Sequence, residues 1–230
     1  MFDSTEAREV FGRIYKTDEW EGGSGQGSRV GATERYRAVL ETVVGAVDVR
    51  SVVDVGCGDW QFSQLVDWSG VSYLGLDVVP DVIDRNRSRF GGHEVEFELR
   101  DVVNQPLPAG DLLICKDVLQ HWPNDAIGNF LETTRGRYRY MLLTNDIWSA
   151  HCPAELLNTD VPVGGWRTMD LELSPFGVRP AWQVDLDILG EWTKRVLLLV
   201  RPSSRPLARL RAHTALRRLG SRPYRRSLAS

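Results

Sequence analysis

No apolar run in this 230-residue chain approaches the roughly 20 residues that a bilayer-spanning helix needs. Cysteine is scarce. Cys57, Cys115 and Cys152 form no C-x-x-C pair, so neither a disulfide framework nor a metal-ligand set is expected, and a reducing, cytoplasmic setting fits. The opening stretch MFDSTEAREVFGRIYK is charged throughout and lacks an apolar core, so no signal peptide is expected. Internal repeats and a second domain are also missing.

Acid is absent from residues 201–230, which hold nine arginines. The other 200 residues carry 19 basic and 31 acidic groups, a net of -12 that the overall -3 conceals. This split reads as an acidic folded domain followed by a basic tail. Leu207, Leu210 and Leu219 would give the tail a weak amphipathic helix over 206–219. Three readings exist for it: contact with an acidic membrane surface, contact with RNA, or a disordered or self-docked tail against the acidic domain. The last is preferred, because a net-acidic folded part argues against a nucleic-acid partner.

What is present is an alternation of strand and helix. Residues 5–17 and 33–46 read as helices, the second with Thr33 as N-cap. Strands are expected at 51–55, 71–76, 95–99, 112–115 and 138–144. Helices are expected at 60–68, 80–90 and 124–134. The run 112–115 is apolar throughout, as a parallel strand covered on both faces must be. After 145 the pattern is lost until two strands at 182–186 and 195–200. The order predicts an α/β, doubly wound, seven-stranded, mostly parallel sheet with an antiparallel last strand and helices on both faces. Residues 1–32 form an N-terminal helix and a Gly-rich segment, 33–200 the main domain and 201–230 the tail.

The chemistry concentrates where strands end. In Asp54-Val55-Gly56-Cys57-Gly58-Asp59 a strand enters a glycine turn, at which backbone and ligand can approach closely. A helix opening there would favour a carboxylate. Asp77, 21 residues after Gly56, ends the second strand and suits two ribose hydroxyls. Asp101 ends the third strand, within reach of an adenine amino group. The fourth strand runs from Asp111 to Lys116-Asp117 at the mouth of the same crevice.

These motifs resemble those of the class I S-adenosylmethionine (SAM)-dependent methyltransferases. Asp54 to Gly58 resembles the first motif, while Asp77, Asp101 and Asp111 to Asp117 resemble the second, third and fourth. Val118-Leu119-Gln120-His121 is similar to a segment that follows the fourth motif in small-molecule members. The likeness spans about residues 35–145 and implies SAM as cofactor. It implies that Asp54, Gly56, Cys57 and Gly58 hold the methionine part, Asp77 and Val78 the ribose, and Asp101 and Val102 the adenine. Lys116 would lie beside the methionine through its backbone. Trp60 departs from the pattern and has two readings, a cover over the cofactor or packing of the first helix. A nicotinamide oxidoreductase is the rival, but its third fingerprint glycine is Gln61 here.

Methyl transfer from a sulfonium needs positioning above all, with a base only for some acceptors. His121, five residues past the fourth strand, is the first candidate base, against a plain loop-bonding role. Asp117 would orient it or face solvent. Asp146 would reach the crevice or cap a turn. His151 is a weaker candidate, His93 an exposed turn residue, and His213 belongs to the tail. Trp20, Trp148 and Trp166 are candidates for a substrate pocket, with specificity placed in 145–180. The segment 22–28 is either a linker or a lid over the cofactor. The expected activity is methylation of an oxygen or nitrogen on a small metabolite, a natural product or a saccharide. A methyltransferase working on nucleic acid or at a membrane through the tail is the alternative. Oligomeric state is not legible.

Overall fold

Alternating side chains decide how the sheet is covered. The structure, a computed structural model, describes residues 4–201; the tail helix expected at 206–219 and His213 lie outside the described residues. The elements are α1 (Ser4–Thr17), α2 (Glu34–Ala46), β1 (Ser51–Val55), β2 (Ser72–Asp77), α3 (Pro80–Phe90), β3 (Val95–Leu99), β4 (Leu112–Lys116), α4 (Asn124–Thr134), β5 (Tyr140–Ser149), β6 (Trp182–Ile188) and β7 (Trp192–Val200). In β4, Leu112 and Ile114 pack with Tyr36, Val39, Leu40 and Val43 of α2. Leu113 and Cys115 turn the other way, toward Phe11 and Ile14 of α1 and Ile127 and Phe130 of α4. The period of two thus feeds two cores, one on each face.

The strand order is β3-β2-β1-β4-β5-β7-β6. β7 runs antiparallel to both β5 and β6, and the remaining pairs are parallel. The expected architecture is therefore present. The order reverses between β1 and β4, which pair from Val52↔Leu112 to Val55↔Cys115. Chains leaving these two carboxyl ends diverge and open a crevice there. Among the described residues, no helix is long and apolar enough to cross a membrane.

Three local expectations need correction. Residues 60–68 form no α-helix, only turns and a short 3-10 helix at Ser63–Leu65. Trp60, Phe62, Val66 and Trp68 all bury into one core. Their spacing of two and four is not a helical face, and Trp60 itself has φ +59°. β5 runs on to Ser149, because Asn145 and Asp146 pair with Arg195 and Lys194 of β7; their polarity hid the strand. Thr33 does precede α2, yet its hydroxyl donates back to the carbonyls of Arg29 (3.0 Å) and Val30 (3.1 Å) instead of capping.

Candidate active site

The crevice holds a cavity of about 420 Å³. It passes from Asp101, Val102 and Val103 by Asp77 and Val78 to Gly56, Cys57 and Gly58, then to Lys116, Asp117, Gln120 and His121. The glycine turn needs its glycines. Gly56 has φ +68°, and a Cβ there would lie 2.4 Å from Cγ2 of Val118. Gly58 has φ +55°, and its Cβ would lie 2.2 Å from the Ser24 hydroxyl. No helix starts after the turn, so the anion-favouring helix terminus expected there does not exist.

Asp77 sits beside the turn. Its carboxylate accepts from the backbone N–H of Gly58 at 3.1 Å and of Val79 at 3.0 Å. Burial raises its pKa, against those N–H bonds. Each oxygen keeps a lone pair for a further donor. Such a half-buried acceptor at the cavity wall suits two vicinal hydroxyls. Asp101 is more fully engaged: it accepts from the Ser4 hydroxyl, the N–H groups of Val103 (3.0 Å) and Asn104 (3.3 Å), and the Asn104 amide (2.8 Å). Its carboxylate shapes the loop that brings Val102 and Val103 to the cavity. Asp54 is buried and accepts from the Tyr73 hydroxyl at 2.5 Å; burial pushes its pKa up to about 7.

One sequence assignment changes. Trp60 does not line the cavity. It is 6% exposed and packs against Tyr73, Phe90 and Phe97 with ring centroids 5.5, 4.9 and 5.4 Å away, so the cover reading fails. Asp111 lies at the opposite, amino end of β4, where it accepts from the Arg50 N–H (3.0 Å) and pairs with Arg139 (3.0 Å).

His121 lies in a 3-10 turn, Leu119–His121, and its ring faces that of Trp20 at 4.8 Å. Nδ1 is 2.9 Å from the Gly165 carbonyl. A carbonyl only accepts, so Nδ1 carries the proton and Nε2 is left as a lone-pair acceptor. Burial pushes the His121 pKa down to about 4, which keeps the ring neutral. Asp117 does not bond to His121. Its Oδ2 takes the ammonium groups of Lys116 (2.5 Å) and Lys194 (2.8 Å). Asp146 accepts from Lys194 (2.7 Å) and Gln120 (3.0 Å). Burial works to raise the Asp117 pKa, but Lys116 and Lys194 outweigh it and hold it low. Burial likewise opposes the Lys194 charge, and Asp117 with Asp146 overcomes this. Both carboxylates are thus ion-paired rather than poised as bases.

Trp20 and Trp166 line the cavity as expected, while Trp148 is 38% exposed outside it. His151 is an exposed partner of Glu191 at 3.5 Å, and His93 is exposed. Lys194, Gln120 and Trp192 belong to the site and were missed. Lys194 and Trp192 sit on the last strand, far from every recognised motif. The only signal was a lysine flanked by a strand's apolar run.

Ser24 to Ser28 also line the cavity. The Ser24 hydroxyl is 2.7 Å from the Tyr15 hydroxyl and donates to Asp59 at 2.7 Å, while the Asp59 N–H donates back at 2.9 Å. The segment therefore lies directly on the glycine turn.

Residues 52–137 match a family described as a methyltransferase domain. No curated protein matches the chain. Among solved structures, magnesium protoporphyrin IX methyltransferase from Synechocystis PCC 6803 with bound S-adenosylhomocysteine is similar, at TM-score 0.59 and 18% identity over 87% of this chain and 100% of that one. The N-methyltransferase NodS from Bradyrhizobium japonicum WM9 in complex with S-adenosylhomocysteine gives TM-score 0.59 and 14% identity over 86% and 99%. Human N-acetylserotonin methyltransferase in complex with SAM gives 0.52 and 17% over 86% and 62%. The half-buried acceptor Asp77, the glycine turn and the cavity between them fit that cofactor. Residues 52–137 thus form a methyltransferase domain, set in a chain with the Rossmann-like fold of the SAM-dependent methyltransferases it resembles.

Proposed function

We propose that the chain methylates an oxygen or nitrogen of a small acceptor, a natural product or a saccharide, with His121 as general base. SAM, when bound, supplies an activated methyl group on a sulfonium. Asp77 would hold its ribose, Val102 and Val103 would flank its adenine, and Gly56 to Gly58 would lie along its methionine part.

The observation that carries the reading is the fixed tautomer of His121. Gly165 holds Nδ1–H, and Nε2 is free at the cavity wall. A ring with a pKa near 4 is a weak base that is never charged at neutral pH. Weakness is no obstacle, because an alcohol becomes strongly acidic as its oxygen gains a methyl group. A positioned neutral imidazole then takes the proton late in the step. Trp20, Trp166 and Trp192 offer flat apolar walls for the acceptor, and Gly165 and Trp166 come from the irregular stretch after β5. The names of the protoporphyrin and N-acetylserotonin enzymes support a small acceptor on this fold.

The test uses SAM labelled in the methyl group and a cell extract split by size. Label should enter the low-mass fraction with wild type and not with His121→Gln, while S-adenosylhomocysteine affinity stays within about threefold. Label that enters RNA or protein instead, or equal transfer by the variant, would overturn the reading.

A further inference from the structure

We propose that Lys194 is a positioning residue which, through Asp117 and Lys116, latches the 24–28 segment over the cavity, so that the adenosyl ligand leaves only when this latch breaks. The proposal rests on the cavity being the SAM site.

The segment is held at two points. At one end Ser24 bonds to Asp59 and Tyr15, as described above. At the other, the Lys116 ammonium donates to the Gly27 carbonyl at 2.9 Å. Lys116 is almost fully buried, and the rings of Phe62 and Tyr36 lie 5.2 and 5.5 Å from its Nζ. These rings accept the charge on one side and aim it at the segment on the other. Lifting Gly27 away would strip a buried ammonium of one of its bonds, which is strongly opposed.

Asp117 makes that aim possible. Its φ of +58° is unusual for a residue other than glycine and turns the carboxylate back over Lys116. Lys194 holds it there from β7 and is itself held by Asp146, its register partner on β5. The hairpin thereby reaches the segment through an unbroken run of side chains. Gly27 also packs against this run: a Cβ there would lie 3.0 Å from Asp117 Oδ2 and 3.1 Å from Lys194 Nζ. Two lysines against two aspartates sum to zero charge, so the latch leaves no net repulsion toward a cationic sulfonium.

The experiment compares wild type with Lys194→Met, Lys116→Met and Gly27→Ala. Gly27→Ala adds one methyl group at the contact and keeps every charge. Two quantities are read: the rate at which S-adenosylhomocysteine dissociates, and amide hydrogen exchange of residues 22–28 compared with β5 and β7. The latch predicts dissociation at least about tenfold faster and faster exchange at 22–28 in all three variants, with β5 and β7 protected in Gly27→Ala. Unchanged dissociation and exchange, or opening confined to β5 and β7, would overturn it. If wild type itself fails to bind S-adenosylhomocysteine, the SAM-site reading fails rather than the latch.

Discussion

Asp77 and Gly56 carry the cofactor reading at the scale of single residues. Asp77 is a half-buried carboxylate at the cavity wall with lone pairs to spare. A hydrogen bond to a charged group contributes about 1.5–3 kcal/mol. Asp77→Ala should therefore weaken S-adenosylhomocysteine binding by about 10- to 100-fold or more, measured by titration calorimetry. Gly56→Ala should do the same for a different reason. It adds a methyl group 2.4 Å from Val118 to a backbone at φ +68°, so the turn must shift. Asp77 and Gly56 were legible in the sequence because strand end and glycine turn are local features. Trp60 was not. Its role depended on whether 60–68 formed a helix, and a spacing of two and four among buried side chains decided against it. His121 was legible as a candidate, yet its tautomer was not. The carbonyl that fixes it belongs to Gly165, 44 residues later.

At the scale of elements, the β6–β7 hairpin does more than close the sheet. Arg195 on β7 pairs with Asp185 of β6 at 2.7 Å, and with Asp170 and Glu172 of the irregular stretch at 2.9 and 3.2 Å. One guanidinium thus fastens the segment that supplies Gly165 and Trp166 to the cavity. Breaking a largely buried ion-pair cluster by removing one partner costs about 3–5 kcal/mol, less where water reaches it. Arg195→Met should lower the unfolding midpoint and speed exchange at 165–178, while α3 at the far edge keeps its protection. Equal exchange in both regions would show that the cluster does not tie the segment down.

For the whole molecule, Asp54 and His121 make stability depend on pH with opposite signs. The folded Asp54 titrates near pH 7 against an ordinary value of 3.8, so the folded state holds a proton that the unfolded chain has lost. Stability from this group falls as pH rises from about 4 to about 7. The folded His121 titrates near pH 4 against 6.5, so the unfolded chain binds the extra proton. Its contribution falls as pH drops from about 6.5 to about 4. The two nearly cancel across that window. Urea unfolding of Asp54→Asn should show a gain over wild type that grows between pH 4 and 7 and then levels off. His121→Gln should instead lose stability more steeply than wild type as pH rises over that range. A difference that does not vary with pH would dismiss either assignment.

The order of strands, the helices other than the one expected at 60–68, and the acids and glycines at the carboxyl ends of β1 to β3 followed from the sequence by itself. They rest on periodicity and turn chemistry, which act over a few residues. Tertiary structure alone decided which carboxylates stay available. Asp117 and Asp146 look alike as loop acids in the sequence, but folding brings Lys194 from β7 between them. It likewise decided that 22–28 lies on the glycine turn. The bonds joining Ser24 to Asp59 and Gly27 to Lys116 cross 35 and 89 residues. Contacts at such separations depend on chain topology, which no local pattern of side chains encodes.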